Sequence, residues 1–364
     1  MVLQFASQEL CDDYEVVMKS VQRTGSALKH ASARLQANRR VVLEAVRQDG
    51  RALQFASQFL RSDHAVVLEA LENTGEALLY ASPKLRADRE IVLAAIRRDP
   101  RALQHASEDL RADRQLVLHA VQTLGSAIVC ASRQLRADRA LVLEAVRHEG
   151  RALMNASADL RADPEVVLEA IKQDGMALQF AASHLQASRI FVLKAVRQDG
   201  AALSRASLDL RQDPEVVLAA VKQRGDAIQY ALPQLQGNRP FVIQAVKRYG
   251  RALCSVAPKF RSDREVVMQA VKQDGMVLAV ASQELRSDRE IVEEAVRQNG
   301  LALQFASLHL RGDKTLAELA VSNNELARMY FVKNPAPYTL AWTIPAKKKA
   351  PGGKAWVKAL HKPL

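Results

Sequence analysis

Two rows of arginine and one row of aspartate run at fixed spacing through this chain. The first row is Arg39, Arg89, Arg114, Arg139, Arg189, Arg239, Arg264 and Arg289. The second stands three residues ahead of that position and holds Arg61, Arg86, Arg111, Arg136, Arg161, Arg211, Arg261, Arg286 and Arg311. Between them sit Asp63, Asp88, Asp113, Asp138, Asp163, Asp213, Asp263, Asp288 and Asp313. A guanidinium presents a planar fork of donors that suits carboxylate and phosphate. The second row ends a helical segment, where a cation suits the C-terminus, whereas the first opens a helix against its dipole and should want an anion. Their shared edge therefore reads either as a structural ladder of Arg–Asp pairs or as an anion-binding ridge open to a partner. A further basic row (Arg47, Arg97, Arg147, Lys172, Arg197) has glutamates three residues earlier, such as Glu44, Glu144 and Glu169, so pairing along one helix accounts for it.

Other chemistry is missing. The eight histidines are scattered, and none falls in a zinc-protease spacing or beside a cysteine cluster. Cys11, Cys130 and Cys254 share no position, which argues against a disulfide framework and for a reducing compartment. Gly352-Gly353-Lys354 lacks the remainder of a phosphate loop, and Arg311-Gly312-Asp313 stands where other copies read RAD or RSD. No enzyme activity, cofactor, metal or small-molecule substrate is expected.

The elements that position these rows repeat every 25 residues, and a fixed period of this kind decides the fold. Glycine falls at 25, 50, 75, 125, 150, 175, 200, 225, 250, 275 and 300, with Pro100 in its place once. In the copy that starts at Asp263, the aspartate is a helix N-cap and Glu265 suits the positive helix end. Val266, Val267, Ala270 and Val271 follow at helical spacing, predicting a helix from about Arg264 to Asp274. Gly275 is expected to end it as a left-handed C-cap. Pro100 cannot take that conformation, so its turn should be non-standard.

A second segment, with Leu278, Ala281 and Leu285 on one side, reads as a helix of about two turns that kinks before Leu285. Pro83, Pro233 and Pro258 fall inside it; a short new turn capped by Ser82 suits the first, but Leu232 and Ala257 cannot cap. Such pairs cannot bury an apolar face alone. The expected fold is all-α: a right-handed superhelical solenoid of about 12–13 stacked helical hairpins. One position on the second segment varies freely (Phe5, His30, Phe55, Tyr80, His105, Cys130, Asn155, Phe180) and reads as a half-buried flank, or as a code position in an RNA reader.

The array is expected to span 1–321, with one longer C-terminal capping helix at 313–332 and a basic tail at 333–364. Seven of the twelve units of net positive charge fall in that tail, which has no acid, so the array itself is a mixed-charge surface. Trp342, Lys347, Lys348, Lys349, Lys354, Trp356 and Lys358 suggest a segment that orders on a partner. No apolar run approaches the roughly 20 residues of a membrane span. The opening residues are already the second half of a repeat, so Met1 is expected to be internal, with any targeting sequence upstream. A soluble protein of the cytoplasm or nucleus is expected.

The phrase LRxDREVVLxAVxQxGxALxxAS resembles the repeat of the family catalogued as domain of unknown function 4116, over Met1 to about Val321. That resemblance implies tandem arrays and no known activity or catalytic residues. The leading expectation is a non-catalytic scaffold that binds a protein partner through the Arg-rich edge (Arg86, Arg89, Arg111, Arg114, Arg136, Arg139, Arg261, Arg264, Arg286, Arg289) and the tail. The alternative is an RNA-binding helical-repeat protein that uses the same ridge and the variable position.

Overall fold

The computed structural model describes residues 3–331, and helices are its only regular elements there. The chain divides after Gln198 into two units, described separately below.

In the first unit one 25-residue copy contains three helical pieces. The long one, such as Arg89–Arg98 or Arg139–His148, is a ten-residue α-helix. It begins where an Asp or Asn side chain accepts from the first free N–H groups, as Asp88 does from Glu90 and Ile91. Its apolar positions are fully buried, as in Ile91, Val92, Ala95 and Ile96. Each long helix packs on the one before it and the one after it: Arg39–Gln48 lies against Tyr14–Arg23 and His64–Asn73, and Arg139–His148 against Arg114–Thr123 and Pro164–Gln173.

The second piece is a six-residue 3-10 helix, such as Gly75–Tyr80. Its buried residues Gly75 and Leu78, with Ala81 just beyond, are three apart, and a 3-10 helix aligns every third residue on one edge. The expected two-turn helix is therefore corrected. The 3-10 segment ends at an extended Ala (Ala106), and the next residue is a Ser whose Oγ accepts from the N–H three residues on (Ser107 from Leu110, 3.4 Å). A single four-residue turn follows (Glu108–Arg111). Pro83 is the first residue of such a turn, where its missing N–H costs nothing.

The glycines also differ from expectation. The residue before each is extended (Asp99 at φ −145°, Glu149 at φ −149°), and the glycine opens the 3-10 helix without positive φ. What requires glycine is proximity. A Cβ on Gly25 would lie 2.3 Å from the Ala45 carbonyl oxygen, and one on Gly150 2.5 Å from that of Ala170. Pro100 takes the same first position in an ordinary 3-10 helix, Pro100–His105, so its turn is standard. It is more exposed than the glycines.

A backbone ladder joins successive copies. The N–H of Ser32, Ser57, Ser82, Ser107, Ser132, Ser157 and Ala182 donates to the carbonyl 21 residues earlier, at 2.8–3.0 Å. No polar or charged side chain among the described residues is buried outright.

The second unit repeats this construction. Pro214–Gln223, Arg239–Arg248, Arg264–Gln273, Arg289–Gln298 and Lys314–Asn323 pack in sequence, and Leu232, Ser282 and Ser307 supply the ladder. Pro233 and Pro258 again open the short turn, with Leu232 and Ala257 extended before them and giving no side-chain cap. The expected longer helix at 313–332 is instead the usual pair, Lys314–Asn323 and the 3-10 helix Glu325–Tyr330. Glu325 occupies the glycine position and is exposed, and among the described residues no further long α-helix follows its 3-10 helix.

Candidate functional site

The first arginine row sits at the first position of the long helices, where a cation opposes the helix dipole. Its anion comes from the next copy. In the first unit Arg39 pairs with Asp63 (3.1 Å), Arg89 with Asp113 (3.2 Å), Arg114 with Asp138 (2.9 Å) and Arg139 with Asp163 (2.8 Å). In the second, Arg239 pairs with Asp263 (2.6 Å), Arg264 with Asp288 (2.9 Å) and Arg289 with Asp313 (2.6 Å). The aspartate of such a pair also caps its own helix. Asp163 Oδ1 accepts from the N–H groups of Glu165 and Val166, and Oδ2 accepts from Arg139 Nε. The guanidinium often finds a second acceptor two residues further on: Gln115 for Arg89, Glu165 for Arg139, Glu265 for Arg239, Glu290 for Arg264 and Thr315 for Arg289. Tyr14, His64 and Pro164 hold this position in three copies, so the first unit's ladder is not continuous.

These contacts lower the carboxyl pKa values. The Arg139 hydrogen bond leads at Asp163 and the Arg239 hydrogen bond at Asp263, each against an opposing push from burial. The Thr315 hydroxyl leads at Asp313, which is brought down to about 2. A carboxylate whose folded value lies below its unfolded one stabilises the fold above the unfolded value, roughly 3.9, and that contribution disappears as pH falls through the folded value. Thermal melts should therefore be flat at neutral pH and fall from about pH 4 toward 2. Asp163→Asn keeps a cap of the kind Asn38 and Asn238 already provide, so it should leave stability at pH 7 near native and make the acid limb shallower. Asp163→Ala loses the cap as well and should cost about 1 kcal/mol at neutral pH.

The second row behaves differently. Arg61, Arg86, Arg111, Arg136 and Arg161 end the short turns and are half-buried. Arg111 Nε donates to the Cys130 carbonyl at 3.1 Å, on the next copy's 3-10 helix. The Nε atoms of Arg61, Arg86, Arg136 and Arg161 are buried and find no hydrogen-bond partner. In the second unit Arg211 and Arg311 reach the Tyr230 and Tyr330 carbonyls (2.7 and 2.9 Å), Arg261 bonds the Cys254 carbonyl through Nη2, and the Nε atoms of Arg261 and Arg286 find no partner. Arg111, Arg211 and Arg311 thus reach a carbonyl of the next copy and Arg261 one of its own copy, while the Nε atoms of Arg61, Arg86, Arg136, Arg161 and Arg286 have no acceptor. The sequence separates the rows by their place on the helices, but it does not show that packing buries Nε in the second.

Beside Arg136 lies a cleft of about 180 Å³ lined by Arg133, Arg136, Asn155, Ala156, Ser157 and Ala158. That is below the roughly 300–1,000 Å³ of small-molecule sites. Among the described residues no group of His, Cys, Asp and Glu could hold a metal ion, and no helix is long and apolar enough to cross a membrane. The freely varying position is half-buried in most copies and fully buried at Cys130. The remaining basic row pairs within its helix at Lys172–Glu169 (2.7 Å) and across copies at Arg47–Glu69 (2.7 Å). Trp342, Lys347, Lys348, Lys349, Lys354, Trp356 and Lys358 lie outside the described residues.

Seven consecutive matches to the family model described as Domain of unknown function (DUF4116) cover residues 1–36, 38–86, 88–136, 138–186, 188–236, 238–286 and 288–331. All but the two end matches, which are shorter, span about two of the 25-residue copies. No curated protein matches the chain.

Proposed function

The chain belongs to the DUF4116 family, and on that premise we propose that it is a non-catalytic scaffold, a right-handed α-solenoid that holds other proteins along its arginine-bearing edge and through its basic tail. The observation that carries this reading is the packing of each long helix on the copies before and after it, which leaves the turn-bearing edge of every copy free to present side chains. Repeat arrays of this type bind along such extended surfaces. The first-row arginines, on which an RNA reading leans, are matched by aspartates of the same array, which favours a protein partner over a phosphate track.

The test is affinity capture with the chain ending at residue 332 and at 364, repeated over a salt series. The scaffold reading expects retained proteins that withstand moderate salt, with a different set once residues 333–364 are removed. Retention of RNA that collapses between low and moderate salt would replace it with the nucleic-acid alternative.

A further inference from the structure

Resting on the scaffold reading, we propose that the second arginine row, Arg61 to Arg161, is the recognition track, and that its occupant is an extended acidic segment of a partner protein with a carboxylate at every third residue.

The first row is already committed, since its charge is met by capping aspartates. Among the described residues, none of Arg61, Arg86, Arg111, Arg136 and Arg161 makes an ion pair. Their short turns, 58–61, 83–86, 108–111, 133–136 and 158–161, carry seven cations against three acids (Glu108, Asp109, Asp159), and the excess gathers at Lys84–Arg86 and Arg133–Arg136. Packing around Nε in Arg61, Arg86, Arg136 and Arg161, and the Cys130 carbonyl at Arg111, hold the inner end of each guanidinium while the half-buried residue still reaches solvent. Much of the cost of ordering a long side chain on a ligand is thereby met in advance, and a carboxylate would gain charge-assisted hydrogen bonds.

Spacing selects the form of the ligand. Successive helices pack about 8–10 Å apart, which sets the step from one arginine to the next. A polyproline II segment has three residues per turn and rises about 3.1 Å per residue, so every third side chain points the same way at roughly 9 Å intervals. One carboxylate then meets each arginine. Leu79, Val129 and Met154, exposed at the adjoining ends of the 3-10 helices, offer apolar contact for the intervening residues. An RNA strand would want aromatic platforms in succession, but the variable position reads His105, Cys130 and Asn155 across the middle of this row.

Fluorescence anisotropy on the unaltered full chain decides it. The probes are a labelled peptide of about six Glu-Pro-Ala triplets, a peptide of the same composition with its glutamates clustered, and an oligouridylate. The triplet peptide should bind at least about tenfold tighter than the clustered one, because only it keeps register. Combining Arg86→Gln, Arg111→Gln and Arg136→Gln should weaken it about a hundredfold, and the control that removes the same three charges, Arg47→Gln, Arg97→Gln and Arg147→Gln, should not. Equal binding of the two peptides, tighter binding of oligouridylate, or no peptide binding would overturn the proposal, and the peptide comparison does not depend on any variant folding. If the peptides fail while the capture experiment still retains proteins, the track is wrong and the scaffold stands; failure of both removes both.

Discussion

Gly150→Val is expected to lower the stability of the first unit by about 3 kcal/mol, at the upper end of what overpacking a filled interior costs. A Cβ on Gly150 would stand 2.5 Å from the Ala170 carbonyl oxygen and 3.1 Å from both the backbone nitrogen and the Cβ of Asp174. Two of those three atoms are backbone, so relief requires the next helix to move. The Ala170 carbonyl is already committed to the Asp174 N–H at 2.9 Å, and Ala170 is fully buried. Gly150→Ala decides between two accounts through the sign of its effect. Glycine here has no positive φ, so conformational entropy alone predicts that alanine stabilises by about 0.4–1 kcal/mol. Close approach predicts destabilisation. Urea unfolding of the two variants measures it, and an alanine variant more stable than the parent would dispose of the close-approach account. Glu325 is the natural control: it stands at the same position where, among the described residues, no next long helix packs against it.

Removing residues 138–162 should leave a folded chain, whereas removing 138–150 should not. Deleting one full copy brings Arg114 opposite Asp163, Gly125 opposite Ala170, and the Ala182 N–H opposite the Arg136 carbonyl, so each broken contact is remade with an equivalent partner. In an array bound only through nearest neighbours, stability is roughly a sum of repeat and interface contributions. The loss should be one share of the helical signal, with a cooperative melt retained. Deleting half a copy instead takes out the helix Arg139–His148 and bares the side chains that faced it, including Leu116, Val117, Val166 and Val167, all nearly or fully buried. Each represents about 1.5–3 kcal/mol, more together than a domain holds in reserve. Circular dichroism melts of both deletions read the difference; equal damage from the two would end the nearest-neighbour picture.

The caps and long helices were legible because an Asp followed by helical apolar spacing has one physical meaning. Arg264–Gln273 ends within one residue of expectation. The glycine position was legible and its cause was not: an unvarying glycine suits a left-handed cap or a close approach equally, and only the Ala170 carbonyl beside Gly150 separates them. The 3-10 segment was misread because Leu278, Ala281 and Leu285 fit an α-helix, while the three-residue step from Gly275 to Leu278 to Ala281 is visible only when glycine is counted as a core residue. Of the arginine rows, sequence could offer the pairing of Arg139 with a neighbouring cap as one option. It placed Arg136 at a helix end, but could not show that the packing there buries its Nε without a partner.

From Ser32 to Ser157 the amide of each capping serine bonds a carbonyl only 21 residues behind it. Native contacts in such a chain close over about one copy, which places it among proteins of low contact order, whose folding is fast and needs no distant segment. As the chain leaves the ribosome, each newly emerged copy meets the finished surface of its predecessor and can dock at once, so the nascent chain is able to fold from its N-terminal side while synthesis continues.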